Sequence, residues 1–257
     1  MLTGMTRARS IGAMADDVVY VERHGAVAEV VMNRPERKNA VTGPLAKGLG
    51  DAFRALAKEE AVSTIVLRGA GGAFSSGLDL KEFNAEPKPE WLGDFHTYWR
   101  GTHAAIYDCP KLIVGALERY AINGGGALAL SCDLLVAGRE SYLQVGEIQQ
   151  GIGAPMNLAW LRLRHSEAVA ARLALTGDRF TGDQLVAMGV AHTAVDDGDV
   201  VAEARALAER LAAYPPTGAP AIKKTLRALW PGVDGETWFA QAAAASPRGS
   251  GGLRAAR

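Results

Sequence analysis

Only two cysteines, Cys109 and Cys132, occur in 257 residues, and no C-x-x-C pair is formed. That excludes a disulfide scaffold and a cysteine-ligated zinc module, and it reads as buried or incidental thiols of a reducing compartment. An excess of charge of one sign is also missing, because 28 basic side chains balance 28 acidic ones. A nucleic-acid partner is therefore not expected. No apolar run reaches membrane-spanning length, so no membrane partner is expected either. The first 15 residues, MLTGMTRARSIGAMA, carry two arginines but no apolar stretch of the kind a secretory signal needs. They are expected to be a flexible leader, with the cytoplasm as the place of action. Neither a complete G-x-G-x-x-G nor a G-x-x-x-x-G-K-[ST] occurs, which removes dinucleotide- and NTP-binding folds. The histidines His24, His96, His103, His165 and His192 are scattered without metal-ligand spacing, and no metal is expected.

Hydrophobic residues make up 48% of the chain against 22% charged, enough to bury the core of one large domain. Val18–Arg23 and Ala26–Met32 flank His24-Gly25 and predict a β-hairpin. Thr42 before Gly43-Pro44 marks a helix start, followed by Leu45, Leu49, Ala52, Phe53 and Leu56 on one stripe. Ser63–Arg68, Lys111–Leu117 and Asp133–Ala137 are continuous apolar runs, the pattern of strands covered on both faces. Pro89–Tyr107 reads as one helix whose stripe of Trp91, Leu92, Phe95, Tyr98, Thr102, Ala105 and Ile106 is either core or the border of a ligand tunnel. Beyond Gly153, Pro155, Ser166 and Thr181 open three helices, and the apolar run Val190–Val195 follows. A long helix over Val200–Tyr214 ends at Pro215-Pro216, and the last helix is expected around Ile222–Leu229. The tail Ser246–Arg257 has little to bury and is expected to fray. The fold class predicted is α/β for about 150 residues, then a helical region.

Two glycine-rich segments stand out, GAGGAFSSGLDLKEF at Gly69–Phe83 and YAINGGGALALSCD at Tyr120–Asp133. Each follows a β-rich run and opens a helical pattern. Glycine permits the tight turn, and the unpaired N–H groups of a first helical turn favour an anion. The N–H groups of Leu78 and Gly124 are the candidate donors. Either loop alone reads as an ordinary strand-to-helix turn; two in one chain suggest a preorganised anion hole. Asp79, at the start of a helix, reads as a cap rather than as a catalyst. In LQVGEIQQGIGAP, Leu143–Pro155, Glu147 is alone in a neutral stretch. It is either a surface residue or a carboxylate with a raised pKa, suited to proton transfer.

These motifs, with MNRPERKNAV at Met32–Val41 and LALTGDRFTGDQLVAMGVAHTAV at Leu173–Val195, resemble the enoyl-CoA hydratase/isomerase (crotonase) superfamily across residues 18–230. The resemblance implies a flexible leader over 1–17, a ββα spiral core over 18–198, and a helical trimerisation region with a frayed tail over 199–257. It implies a homotrimer or homohexamer, a role in fatty acid metabolism, and an acyl-CoA thioester substrate, with coenzyme A as part of that substrate and no separate cofactor. The thioester oxygen would rest between the Leu78 and Gly124 amides, where an enolate needs stabilising, with Glu147 as acid/base. Lys38, Ala40, Ser76, Leu78, Asp79, Leu80, Lys81, Gly124 and Gly125 would contact the substrate or its CoA.

The chain departs from the family in two places. Hydratases of the family use two glutamates twenty positions apart; the second falls on Glu147, but the first falls on Ala127. One carboxylate suits the shift of a 3-enoyl to a 2-enoyl double bond, the preferred expectation; hydration or hydratase-lyase chemistry with one glutamate is the alternative. The C-terminal basic helix that meets CoA phosphates in family members has no clear counterpart, and Lys223-Lys224 read as a solvated pair. A silent acyl-CoA-binding or interaction scaffold is the alternative of another class. A serine hydrolase built on Ala73-Phe74-Ser75-Ser76-Gly77, one glycine short of a nucleophile elbow, would need His165 or His192 beside Ser75.

Overall fold

The computed structural model describes residues 17–246. All but Asp17 of the expected leader and all but Ser246 of the expected fraying tail lie outside the described residues. The hairpin forms as predicted, β1 (Val19–His24) antiparallel to β2 (Val27–Met32), turning at Gly25 with φ +61°. The main sheet continues in the order β1-β2-β3-β4-β6-β9 through β3 (Thr64–Gly69), β4 (Leu112–Leu117), β6 (Leu134–Gly138) and β9 (Thr193–Val195). Every pairing after the hairpin is parallel. Continuous apolar runs suit these strands because both faces are covered. Val27, Val66, Val114 and Val136 pack with Val200, Ala204 and Leu207 of α8 (Val200–Ala212). The alternate residues Ala28, Ile65, Leu67, Ile113 and Leu135 join the larger core containing Leu45, Leu49 and Phe53 of α1 (Gly43–Lys58).

A second sheet holds β5 (Tyr120–Ile122), β7 (Tyr142–Gln144) and β8 (Arg179–Thr181) in the order β5-β7-β8. None of these strands is foreseen by the sequence reading, because three residues carry no measurable period. The helix expected over Pro89–Tyr107 is interrupted: a 3-10 turn at Glu90–Leu92 precedes α3 (Phe95–Asp108), with Gly93-Asp94 between. The short α2 (Leu80–Phe83) and α4 (Gly124–Ser131) follow the two glycine loops.

Three predicted helix starts hold at α5 (Pro155–Arg164), α6 (Glu167–Thr176) with Ser166 as cap, and α7 (Gly182–Ala187) with a Thr181/Gln184 capping box. The expectation that the last helix lies near Ile222–Leu229 is corrected. α9 (Gly218–Leu229) is followed by α10 (Gly235–Ala245), capped by the Asp234 side chain accepting from Thr237 N at 2.8 Å. Phe239 fastens α10, fully buried with its ring 5.0 Å from that of Trp160. By contrast, Ile222, Leu226, Leu229 and Trp230 on and just after α9 are exposed. Both cysteines are free and buried, and burial pushes the Cys132 thiol up to about 12. No helix among the described residues is long and apolar enough to cross a membrane.

Candidate active site

Residues 33–41 make a tight loop in which Lys38 and Asn39 hold φ +55° and +53°. Such φ values are uncommon outside glycine, and asparagine tolerates them best among side-chain-bearing residues. Asn39 is buried and acts as a latch: its Nδ2 donates to the carbonyls of Ala70 (2.9 Å) and Ala73 (2.7 Å), while its Oδ1 accepts from Arg34 N. The Ser75 hydroxyl donates to the Asn39 carbonyl at 2.8 Å. Val41 N donates to Gly77 O, and Asp79 N donates to Val41 O. In this parallel bridge the N–H of Leu78 itself points away from Val41, and among the described residues it has no protein acceptor.

The second glycine loop is pressed against the first. Ser75 N donates to Tyr120 O and Ile122 N to Ser75 O, both at 3.1 Å. Gly77 has φ +85°, and a Cβ there would lie 2.6 Å from Ile122 O; a Cβ on Gly125 would lie 2.5 Å from Ser75 O. Only glycine admits this approach. Asn123 joins β5 to α4 with φ 51° and ψ −112°, a costly conformation for a residue with a side chain. It is tied down by Asn123 N donating to Gln144 O and by its Oδ1 accepting from Gly146 N, both at 2.8 Å. Gly124 then opens α4, so its N–H has no intrahelical acceptor and sits at the positive end of the helix. Two segments in direct contact thus each carry an unpaired backbone donor.

The bond from Gly146 to Asn123 also anchors the turn that carries Glu147. Glu147 Oε1 accepts from Asn157 Nδ2 at 2.7 Å, whereas Oε2 is buried with no partner among the described residues. Burial pushes the carboxyl up to about 7, opposed by bonds from its own backbone N–H and from Asn157. Of the two sequence readings of Glu147, the geometry matches the raised acid. Ala127, one turn into α4, is fully buried. Trp99 of α3 flanks the amide loop, its ring 3.5 Å from where a Gly124 Cβ would lie, and it stacks on Phe95 at 6.2 Å. Behind it His103 is wholly buried, accepts from Trp160 Nε1 at 2.9 Å, and is held neutral by burial, which pushes it down to about 3.

The other residues singled out by sequence fall around the first loop. Lys38 and Lys81 are exposed, Ser76 and Leu80 half-buried, and Ala40 buried with its carbonyl accepting from Arg34 at 2.7 Å. Asp79 does cap α2, accepting from Glu82 N at 3.2 Å, and it also pairs with Arg34 (3.2 Å) and Arg37 (2.8 Å) while only 2% exposed. Burial acts to raise its pKa, but the bonds from Arg37 and from Glu82 N and the charge of Arg34 outweigh it and hold the carboxyl below the usual range. Asp79→Ala is expected to destabilise the fold by about 3–5 kcal/mol, read by urea unfolding, because two guanidinium groups lose their buried counter-charge. The ion pairs were not foreseen, since nothing in Met32–Val41 singles out Arg34 and Arg37 from other surface charges.

One further expectation is corrected, and the hydrolase alternative finds no support. Lys223 is not solvated: it is 8% exposed and donates to Asp133 Oδ2 (2.8 Å) and Lys111 O (2.7 Å). Ser75 Oγ is engaged by Asn39 O and Gly77 N, while His165 and His192 line a separate cavity beside Asp133, so no hydrolase triad forms around Ser75. Asn123 and Asn157 were missed. The first could have been flagged as an asparagine poised before glycines; the second carried no signal, being an ordinary helix position in sequence.

The fold, a spiral of parallel strands meeting a short second sheet with the glycine loops at their junction, is the crotonase fold, seen in solved relatives. One is the carnitinyl-CoA hydratase from Mycobacterium avium, with TM-score 0.78 and 27% identity, covering 89% of this chain and 88% of that one. Another is the enoyl-CoA hydratase from Mycobacterium tuberculosis H37Rv, with TM-score 0.73 and 31% identity over 89% and 88% of the two chains. In sequence, the profile of the enoyl-CoA hydratase/isomerase family matches residues 22–241. A putative enoyl-CoA hydratase of Thermus thermophilus is 34% identical over 234 residues, 89% of this chain and 90% of that protein. Carnitinyl-CoA dehydratase of Proteus mirabilis is 27% identical over 82% and 80% of the two. The chain belongs to the enoyl-CoA hydratase/isomerase family, and it is an enzyme of lyase or isomerase type that works on acyl-CoA thioesters.

Proposed function

We propose that the enzyme shifts the double bond of a 3-enoyl-CoA to the 2-position. The observation that carries this reading is the half-buried Glu147, with one carboxylate oxygen buried and unpartnered and a pKa of about 7, beside an amide loop whose residue 127 is alanine rather than a second acid. The Leu78 and Gly124 amides would donate to the thioester oxygen as it gains charge, each donor contributing about 2.7–4 kcal/mol to the transition state. Glu147 would remove a proton from C2 and return it to C4. A group half-ionised near neutrality serves both halves of that transfer. Lys38, Ala40, Ser76, Asp79, Leu80, Lys81 and Gly125 would line the CoA side, Asp79 by fixing the loop, since its side chain is internally paired. The exposed apolar residues of α9 support assembly into a homotrimer or homohexamer, and two unpaired cysteines support a cytoplasmic setting.

A second reading, single-glutamate hydration or dehydration, is favoured by relatives described as carnitinyl-CoA dehydratase and carnitinyl-CoA hydratase. Offering 3-enoyl-, 2-enoyl- and 3-hydroxyacyl-CoA substrates to wild type and Glu147→Gln separates the two. Conversion of the 3-enoyl substrate without uptake of water, abolished in the variant, supports isomerisation; faster water addition to the 2-enoyl substrate supports the second reading. Turnover of none of the three, with tight binding retained, would instead mark a silent scaffold. Because the base must be ionised in the free enzyme, kcat/KM is expected to fall tenfold per pH unit below about 7 and to level off above it. A flat profile between pH 5 and 8 would contradict that assignment.

A further inference from the structure

We infer that Asn157 is a positioning residue whose side-chain amide orients the base and, together with the first hydrogen bond of α4, braces one oxyanion donor. It lies in the first turn of α5, is 1% exposed, and directs both Nδ2 hydrogens to other elements, to Glu147 Oε1 at 2.7 Å and to Asn123 O at 3.1 Å. Both partners are acceptors, so the amide is oriented unambiguously, nitrogen toward them. Asn123 completes a ring by accepting from Gly146 N, the residue before Glu147.

Two consequences follow. With Oε1 occupied, Oε2 is the oxygen left to carry the proton. The Asn123 carbonyl and the Gly124 N–H belong to one planar trans peptide, so they point in opposite directions. The carbonyl accepts from Ala127 N of α4 at 3.0 Å as well as from Asn157, and with both donors holding it the N–H is aimed the other way, away from the α5 side. The inference rests on the reading of Glu147 as the base. The causes acting on Glu147 are burial, its own N–H and Asn157. The surrounding elements bring no competing charge to it: α4 has no titratable side chain, Arg164 of α5 pairs with Asp133 and Arg162 is exposed. On α6, Glu167 is exposed and Arg172 lies over Phe180; on α10, Glu236 pairs with Arg100; on α3, His103 is neutral and bonded to Trp160.

The test is the pH dependence of kcat/KM on 3-enoyl- and 2-enoyl-CoA for wild type, Asn157→Ala and Asn157→Asp. An N–H donor favours the ionised carboxylate, so its loss moves the acid limb upward. For Asn157→Ala the expected result is a limb about one pH unit higher or more, a kcat at pH 7 lowered roughly 10- to 100-fold and partly recovered at pH 9, and KM changed less than about threefold. Asn157→Asp, isosteric and so the variant to rely on if the alanine form does not fold, should move the limb further, since two carboxyls then share a proton. A limb left at its wild-type position in a folded variant, with kcat lowered equally at all pH values, overturns the inference. If wild type itself lacks a limb near pH 7, or Glu147→Gln stays active, the reading of Glu147 fails first and the inference falls with it.

Discussion

Glu147→Gln is expected to lower kcat/KM by about 10²–10⁴-fold while making the protein more stable at alkaline pH. The two effects share one cause. Glutamine keeps the shape and can still accept from Asn157 Nδ2, but it cannot take a proton from carbon. The stability effect follows from linkage. Burial raises the folded carboxyl from 4.5 to about 7, so the folded state holds its proton more tightly than the unfolded chain. The resulting stabilisation is complete below pH 4.5 and is lost as pH rises through 7. Glutamine never ionises, so its advantage over glutamate grows across that window at about 1.4 kcal/mol per pH unit, to about 3 kcal/mol at most. Urea unfolding of both proteins at pH 5 and pH 8 measures this. A stability difference equal at the two pH values would show that the carboxyl is not desolvated, and activity within threefold of wild type would remove Glu147 from the chemistry.

What could be read in the sequence divides along physical lines. The central strands were legible because burial on both faces leaves continuous runs such as Thr64-Ile65-Val66-Leu67. The helix starts at Thr42, Ser166 and Thr181 were legible because capping is a local side-chain-to-backbone interaction. The strands of the second sheet were not, because Tyr120–Ile122, Tyr142–Gln144 and Arg179–Thr181 exist through pairings with one another across long sequence separations. α10 was missed for a different reason. Its cap Asp234 and anchor Phe239 lie beyond Trp230-Pro231-Gly232, and in GETWFAQAAAA the two large apolar residues are adjacent and the rest are mostly alanines, so no apolar stripe marks the helix.

The same division holds for the site. Both glycine loops and Glu147 were visible as local anomalies: glycine where the backbone must approach closely, an acid in a neutral stretch. The polar ring that joins them was not. Asn157 meets Glu147 across 10 positions and Asn123 across 34, and Arg34 meets Asp79 across 45. Only the fold brings such partners together, so an asparagine on α5 has in sequence the appearance of any polar helix residue. Lys223 shows the reverse error, a charge taken for surface that the fold encloses with Asp133.

Gly125→Ala is expected to cost about 10²–10³-fold in kcat, whereas Gly124→Ala, one residue earlier, leaves the fold and the oxyanion donor intact. Both substitutions add one methyl group at the start of the same helix, and alanine is intrinsically the better helix former by about 1 kcal/mol. They differ in what the methyl meets. At 124 the new Cβ lies 3.5 Å from the Trp99 ring, an ordinary van der Waals contact. At 125 it lies 2.5 Å from Ser75 O and 2.8 Å from Ser75 Cβ, and that backbone oxygen already accepts from Ile122 N. A fixed backbone oxygen cannot swing aside as a long side chain could. The start of α4 must therefore back away from residues 75–78, separating the Gly124 amide from the Leu78 amide. Stabilisation realised only as the oxyanion forms is then lost, and the loss falls on kcat more than on KM. Gly77→Ala, 2.6 Å from Ile122 O and at φ +85°, should act on the opposite side of the same contact with a similar loss of kcat. Steady-state kinetics alongside thermal melts distinguish the cases. If Gly125→Ala turned over acyl-CoA at the wild-type rate, the contact between the two glycine loops would have no part in placing the amides.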